Sequence, residues 1–234
     1  MKLKHFKFVN FFFLYTLFKT HWINLSCVRG FFYILYGELV LKILVTGFEP
    51  FGDISSNCTQ MIVDKFKSES LVDTLILPVV TTKCFTVLET FLAGKEYDFI
   101  ILLGQASKRD RISIERVALN VLDFPIADNE GNLIAHKKII ENASDGIFTG
   151  LPLEELQRTC KEKSIQAEVS NSAGTYICNE IFFRTLFKFR NSRTKVGFIH
   201  LPLVLEQNIS SNRVNITLND LYQNLKIVLG SLDK

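Results

Sequence analysis

Lys42-Ile43-Leu44-Val45-Thr46 is an unbroken β-branched and aliphatic run closed by Gly47. Two more runs of the same kind follow, Asp98–Leu103 (DFIILL, closed by Gly104) and Val196–Leu201 (VGFIHL). Runs this short, apolar at nearly every position rather than at alternate ones, suit strands covered on both faces, the habit of parallel sheets. Helical spacing fills the intervals: Asn57–Lys67, with Met61, Ile62 and Phe66 on one side, then Lys83–Phe91, Pro152–Lys163, Thr175–Phe189 and Leu218–Leu229. Pro152 suits a first helical turn. Further extended segments fit Thr74–Val80, Arg111–Asn120 and Ala167–Ser170, whereas residues 125–150, rich in Asp, Asn and Gly, read as irregular loop. Buried strands alternating with helices of this size predict a single-domain α/β fold, an open, mostly parallel twisted sheet with helices on both faces in three αβα layers.

The 234 residues suit one domain with an appendage, and 47% hydrophobic residues supply a core, which excludes intrinsic disorder. The formal charge of +3 is concentrated at the N-terminus, where residues 1–40 hold five basic side chains and one acidic. The 27 basic and 24 acidic residues of the whole chain therefore leave 22 against 23 in residues 41–234. Nothing there forms a basic footprint for nucleic acid. The five cysteines (Cys27, Cys58, Cys84, Cys160, Cys178) are odd in number and widely spread, and neither they nor His5, His21, His136 and His200 have metal-ligand spacing. A reduced, cytoplasmic protein with no metal is expected.

Residues 1–40 differ from the rest. They carry eight of the 21 Phe and the single Trp, and three lysines precede an apolar stretch from Phe8 to Phe18. That pattern resembles a weak signal peptide or membrane anchor, but no small-x-small cleavage site follows, and Lys19, His21 and Arg29 interrupt any span of about twenty apolar residues. The favoured expectation is an upstream stretch translated through an early start, the ordered body beginning after Leu41.

In open α/β sheets, chemistry gathers beyond the carboxyl ends of the strands. Those ends are Gly47–Gly52, Gly104–Arg109, Glu115, Ala173–Cys178 and His200–Pro202. Cys178 falls in the first turn of a helix approached through Ser172-Ala173-Gly174, where the macrodipole and free N–H groups are expected to favour a thiolate. His200 closes a hydrophobic strand just before Pro202. A cysteine, a histidine to take its proton and a carboxylate to orient that histidine make up a nucleophilic triad. The plainer readings are an inert buried cysteine, a structural histidine, a Glu115 salt-bridged to Arg111 or Arg116, and turn glycines around GFEPFGD.

Four separated motifs, LVTGFEPFGD (44–53), GQASKRDRISIERVALN (104–120), SNSAGTYICNE (170–180) and GFIHLPLVLEQ (197–207), closely resemble those of the pyroglutamyl peptidase I family. The resemblance runs from about Lys42 to the C-terminus. It implies an α/β cysteine exopeptidase, cytosolic, without cofactor and often tetrameric, that removes N-terminal pyroglutamyl residues from peptides. Carried over by motif, the nucleophile is Cys178, the base His200 and the acidic member Glu115. Phe48 and Phe51 would enclose the lactam ring, and Gln105 would help bind its amide. The partner expected is therefore a peptide with a blocked N-terminus, and a second copy of the chain.

The chain also departs from the family pattern. Pro125-Ile126-Ala127 stands before Asp128-Asn129 where the family commonly has Arg-Ile-Pro, so an arginine of the family's active site is replaced by Pro125. Proline supplies neither charge nor a planar donor. Arg109 and Arg111 are the candidates to compensate. Asp53, Cys58, Ser107-Lys108 and Glu180 also differ from the usual Gly, Pro, Gly-Gly and His. The alternative from another class is therefore a weakened or inactive relative that binds blocked peptide ends. A nucleoside phosphorylase shares the outline of the sheet, but GFEPFGD is too acidic for a phosphate cradle.

Overall fold

The computed structural model describes residues 41–52, 54–207 and 215–232; the N-terminal extension expected over residues 1–40 lies outside them. The chain runs β1 (Ile43–Phe48), α1 (Cys58–Phe66), β2 (Val72–Leu77), α2 (Lys83–Leu92), β3 (Phe99–Gln105), β4 (Ile112–Glu115), β5 (Val117–Leu119) and β6 (Gly146–Phe148). It continues with α3 (Leu153–Glu162), β7 (Ala167–Ser170), α4 (Ile177–Phe189), β8 (Lys195–Leu201), a 3₁₀ turn (Leu205–Gln207) and α5 (Leu218–Leu229). Six strands form one sheet in the order β2-β1-β3-β8-β4-β7.

Alternation along the strands sorts the core into two layers. Ile43, Val45, Ile101, Leu103, Ile199 and Leu201 face α1, α3 and α5, meeting Ile62, Phe66, Leu156 and Leu225. Leu44, Ile100, Leu102, Val196 and Phe198 face α2 and α4, meeting Leu88, Ile177, Ile181 and Phe182. Each fully buried Leu, Ile or Phe contributes roughly 1.5–3 kcal/mol of transfer free energy, so both faces of the sheet are needed to hold it. The three-layer expectation holds.

The sheet is mixed, and one connection explains why. β1 pairs in parallel with β2 and β3, β3 with β8, and β4 with β7, but β4 runs antiparallel to β8. Only residues 106–111 join β3 to β4, whereas a parallel neighbour needs a crossover of about a dozen residues or more. The chain therefore passes over the end of β8 and returns on its far side. Arg109 is carried across the carboxyl ends of β3 and β8 by that passage.

Residues 125–150 are less irregular than their composition suggests. β6 pairs antiparallel with β5 in a separate two-stranded ribbon, and Leu122 bridges Lys137. The three residues Gly146-Ile147-Phe148, the last of them exposed, are too few to show a period in sequence. The rest is held by side chains. Asn120 Oδ1 accepts from the Ile139 and Ile140 N–H groups at 2.9 Å, and Asp128 accepts from the N–H groups of Thr81, Glu130 and Asn132. These bonds satisfy backbone donors that no ladder pairs. Among the described residues, no helix is long and apolar enough to cross a membrane.

Candidate active site

The first wall of the site is built at the end of β1. Gly47 lets α1 lie directly against the strand, since a Cβ there would come within 2.6 Å of the Thr59 carbonyl oxygen. Asn57 caps α1 by accepting from the Thr59 N–H at 3.0 Å, and the Thr59 hydroxyl in turn accepts the Phe48 N–H at 2.8 Å. Phe48 is thereby fixed, buried, at the base of a cavity of about 460 Å³ lined also by Phe51, Val79, Gln105, Ile126, Tyr176 and Cys178. No described lining side chain is charged.

Gln105 enters this cavity in a set orientation. Its Oε1 accepts from the Cys58 N–H and from Gln207 Nε2, both at 2.8 Å. The amide nitrogen is left as the end that can donate into the cavity. Gln207, itself held by donating to the Ser56 carbonyl at 3.1 Å, is a contributor that the sequence reading passed over. Tyr176 is another. It packs its ring against Phe51 at 5.4 Å and Phe124 at 4.7 Å, closing the cavity beside α4. Its position two residues before Cys178 was the available signal.

Cys178 stands in the first turn of α4, which begins after Tyr176 with no side chain capping its N–H groups. Those first-turn donors have no intrahelical partners. The sulfur lies so close to β3 that a Cβ on Gly104 would be 3.0 Å from Sγ and 2.7 Å from the Phe198 ring. Gly104 is in register with His200 on β8. His200 points to the same face as Phe198, its ring 4.8 Å from that neighbour. Sulfur and imidazole thus share one patch of the sheet face.

Behind them, His200 Nδ1 meets Glu115 Oε1 at 2.7 Å, both groups buried. The sequence-level alternatives for Glu115 are corrected here. Arg111 pairs with Asp110, and Arg116 reaches Asn171; the cation on Glu115 is Arg109, at 2.7 Å. Of the two arginines that could compensate for Pro125, only Arg109 reaches the site.

A second correction concerns the thiol. Burial first, and then the Glu115 charge, push Cys178 up to about 12, outweighing Arg109 and the Cys178 N–H, which pull the other way. Burial also holds His200 below its ordinary 6.5, against the raising effect of Glu115 and with Arg109 lowering it. Both shifts favour a neutral thiol beside a neutral imidazole. A helix start alone does not offset desolvation at this site.

The wider likeness fits these features. A profile for pyroglutamyl peptidase matches residues 41–230. The chain belongs to the pyroglutamyl peptidase family. The pyrrolidone-carboxylate peptidase of Thermosipho melanesiensis is 39% identical over 203 residues, spanning 81% of this chain and 99% of that relative. The crystal structure of Bacillus amyloliquefaciens pyroglutamyl peptidase I superposes with a TM-score of 0.78 at 31% identity, covering 82% of this chain and 96% of the other. That of pyrrolidone carboxyl peptidase from Fervidobacterium islandicum AW-1 gives 0.78 at 33% identity, covering 82% and 98%. Membership of this family makes the chain a hydrolase of the cysteine peptidase type. The match begins at the strand-bearing body and leaves residues 1–40 outside it.

Proposed function

We propose that this chain removes N-terminal pyroglutamyl residues from peptides through a thioester, with Cys178 as nucleophile, His200 as general base and acid, and Glu115 orienting His200. The observation that carries the reading is the buried 2.7 Å contact of His200 Nδ1 with Glu115, on the sheet face where the Cys178 sulfur lies against Gly104. A proton on Nδ1 leaves Nε2 free to accept.

In the proposed course, the Cys178 thiol gives its proton to His200 as the sulfur attacks the carbonyl joining pyroglutamate to the next residue. The neutral resting pair makes this transfer part of the attack. The resulting imidazolium is stabilised by Glu115 and then protonates the leaving amine. N–H groups at the start of α4 would receive the oxyanion. Water, deprotonated by His200, then hydrolyses the thioester. Phe48 and Phe51 would flank the lactam, and the Gln105 amide nitrogen would donate to its carbonyl. A neutral ring suits a cavity whose described lining carries no charge.

A reduced, cytoplasmic setting and a homo-oligomer, tetrameric by family resemblance, belong to the same proposal. The buried free thiols of Cys58, Cys84 and Cys160 are in keeping with the first; sedimentation velocity tests the second. Cleavage of a pyroglutamyl-coumarin amide under reducing conditions tests the activity. Turnover by the wild type and its loss in Cys178→Ser are expected. A folded wild type that binds the amide without cleaving it would favour a binding relative, with Pro125→Arg as the next variant.

A further inference from the structure

Arg109 joins parts of the site that come from three separate stretches of chain. Its Nη1 donates to Glu115 Oε1 at 2.7 Å, the same oxygen that meets His200 Nδ1 at 2.7 Å. Its Nη2 donates to the Ser172 carbonyl at 3.2 Å. Ser172 opens the Ser172-Ala173-Gly174 approach to α4, and its hydroxyl accepts the Gly174 N–H at 3.1 Å, where the backbone turns through a positive φ of 82°. Glu115 Oε2 is buried with no hydrogen-bond partner among the described residues. The Glu115 side chain is fully buried, while that of Arg109 is 24% exposed.

We propose that Arg109 is a positioning residue of the reaction: one guanidinium holds the carboxylate that orients His200 and, through Ser172, the loop that delivers Cys178. The inference rests on the triad reading above. Planar geometry is what allows both bonds at once, because the two nitrogens of the fork diverge toward different acceptors. A lysine ammonium at this site keeps the charge and loses the fork.

Charge balance gives Arg109 a second effect. Glu115 draws a proton toward His200, and the Arg109 charge opposes that pull. Without Arg109 the buried carboxylate is uncompensated, and protonating His200 is its nearest remedy. An imidazolium cannot accept the thiol proton. Among the described residues, the charges acting on His200 are Glu115 from β4 and Arg109 from the β3–β4 passage, and Cys178 of α4 lies against Gly104, the register partner of His200 on β3. The exposed Glu168 of β7 accepts from the hydroxyl of Ser113, the register partner of His200, at 3.0 Å and acts electrostatically on Arg111.

The test is kcat/KM against pH on the pyroglutamyl-coumarin amide for the full chain, Arg109→Ala, Arg109→Lys, and Arg109→Ala with added guanidinium ion. Arg109→Ala is expected to lose roughly ten- to hundredfold. Its acid limb should move to higher pH, and guanidinium, able to reach a partly exposed site, should restore part of the rate. Arg109→Lys should keep the wild-type acid limb at a reduced plateau. An unchanged rate in Arg109→Ala overturns the inference, as does a loss with neither a moved limb nor rescue. Should Arg109→Ala fail to fold by circular dichroism, Arg109→Lys decides, and full wild-type activity in it overturns the inference. Failure of the triad reading looks different: Cys178→Ser would then cleave as well as wild type, whatever Arg109 does.

Discussion

Glu115 and Glu180 make a natural experiment within one molecule. Both side chains are fully buried, and each is paired with an arginine of similar exposure, 24% for Arg109 and 21% for Arg184. Their bonding differs. Glu180 uses both oxygens: Oε1 accepts from Thr82 N–H and Arg184, and Oε2 from the Thr81 hydroxyl at 2.8 Å. In doing so it holds Thr82, a β-branched residue at a φ of 61°, in an unfavourable conformation at the start of α2. Glu115 crowds His200 and Arg109 onto one oxygen and leaves the other without a partner among the described residues. A satisfied buried carboxylate rigidifies, whereas a half-satisfied one is a reservoir of electrostatic energy that chemistry can draw on.

Exchanging each carboxylate for its amide tests that contrast. Glu115→Gln is expected to lower kcat/KM by about 10³–10⁴-fold, because the imidazolium formed during attack loses its counter-charge. Its urea midpoint should stay near wild type, since the amide oxygen still accepts from His200. Glu180→Gln should do the reverse, costing about 1–3 kcal/mol of stability in urea unfolding because an amide nitrogen in the place of Oε2 cannot accept from the Thr81 hydroxyl, with kcat/KM close to wild type in the folded enzyme. A stability loss in Glu115→Gln equal to that of Glu180→Gln would break the comparison.

Gly104→Ala sharpens it from the nucleophile's side. A methyl group 3.0 Å from Sγ and 2.7 Å from the Phe198 ring must displace one of them. Misplacing the sulfur by a fraction of an ångström is expected to cost about 10²-fold in kcat, read in the same coumarin assay. The smallest effect is on thiol reactivity. With Cys178 raised to about 12, its alkylation by iodoacetamide should climb with pH through neutrality and beyond 9 without reaching a plateau. Glu115 is one of the charges raising that thiol, so Glu115→Gln should move the alkylation curve to lower pH. Glu180 acts electrostatically on Cys84 instead, so Glu180→Gln should leave the Cys178 curve in place.

Much of this was legible in the chain because it is local or periodic. Lys42–Thr46, Asp98–Leu103 and Val196–Leu201 announce themselves as buried strands, Asn57–Lys67 as a helix, and the strand ends as the place where Cys178, His200 and Glu115 would meet. What escaped depends on which distant segments touch. The antiparallel β4 follows from the shortness of a connection whose destination is hidden until the sheet order is known. The Gln207 bond to Gln105 spans 102 residues, and Arg109 gives no sign in sequence of reaching Ser172 as well as Glu115. The raising of the Cys178 thiol is hidden for the same reason: a helix start can be seen in one dimension, while desolvation needs the packed cavity.

The most direct test of the central claim is mass spectrometry of the chain, acid-quenched during turnover of a pyroglutamyl ester, a substrate chosen so that acylation outruns hydrolysis. A mass increase of one pyroglutamyl group, located on the peptide bearing Cys178 and absent from Cys178→Ser, is the predicted result. Ester consumption with no label on Cys178, and with Cys178→Ser equally active, would contradict it.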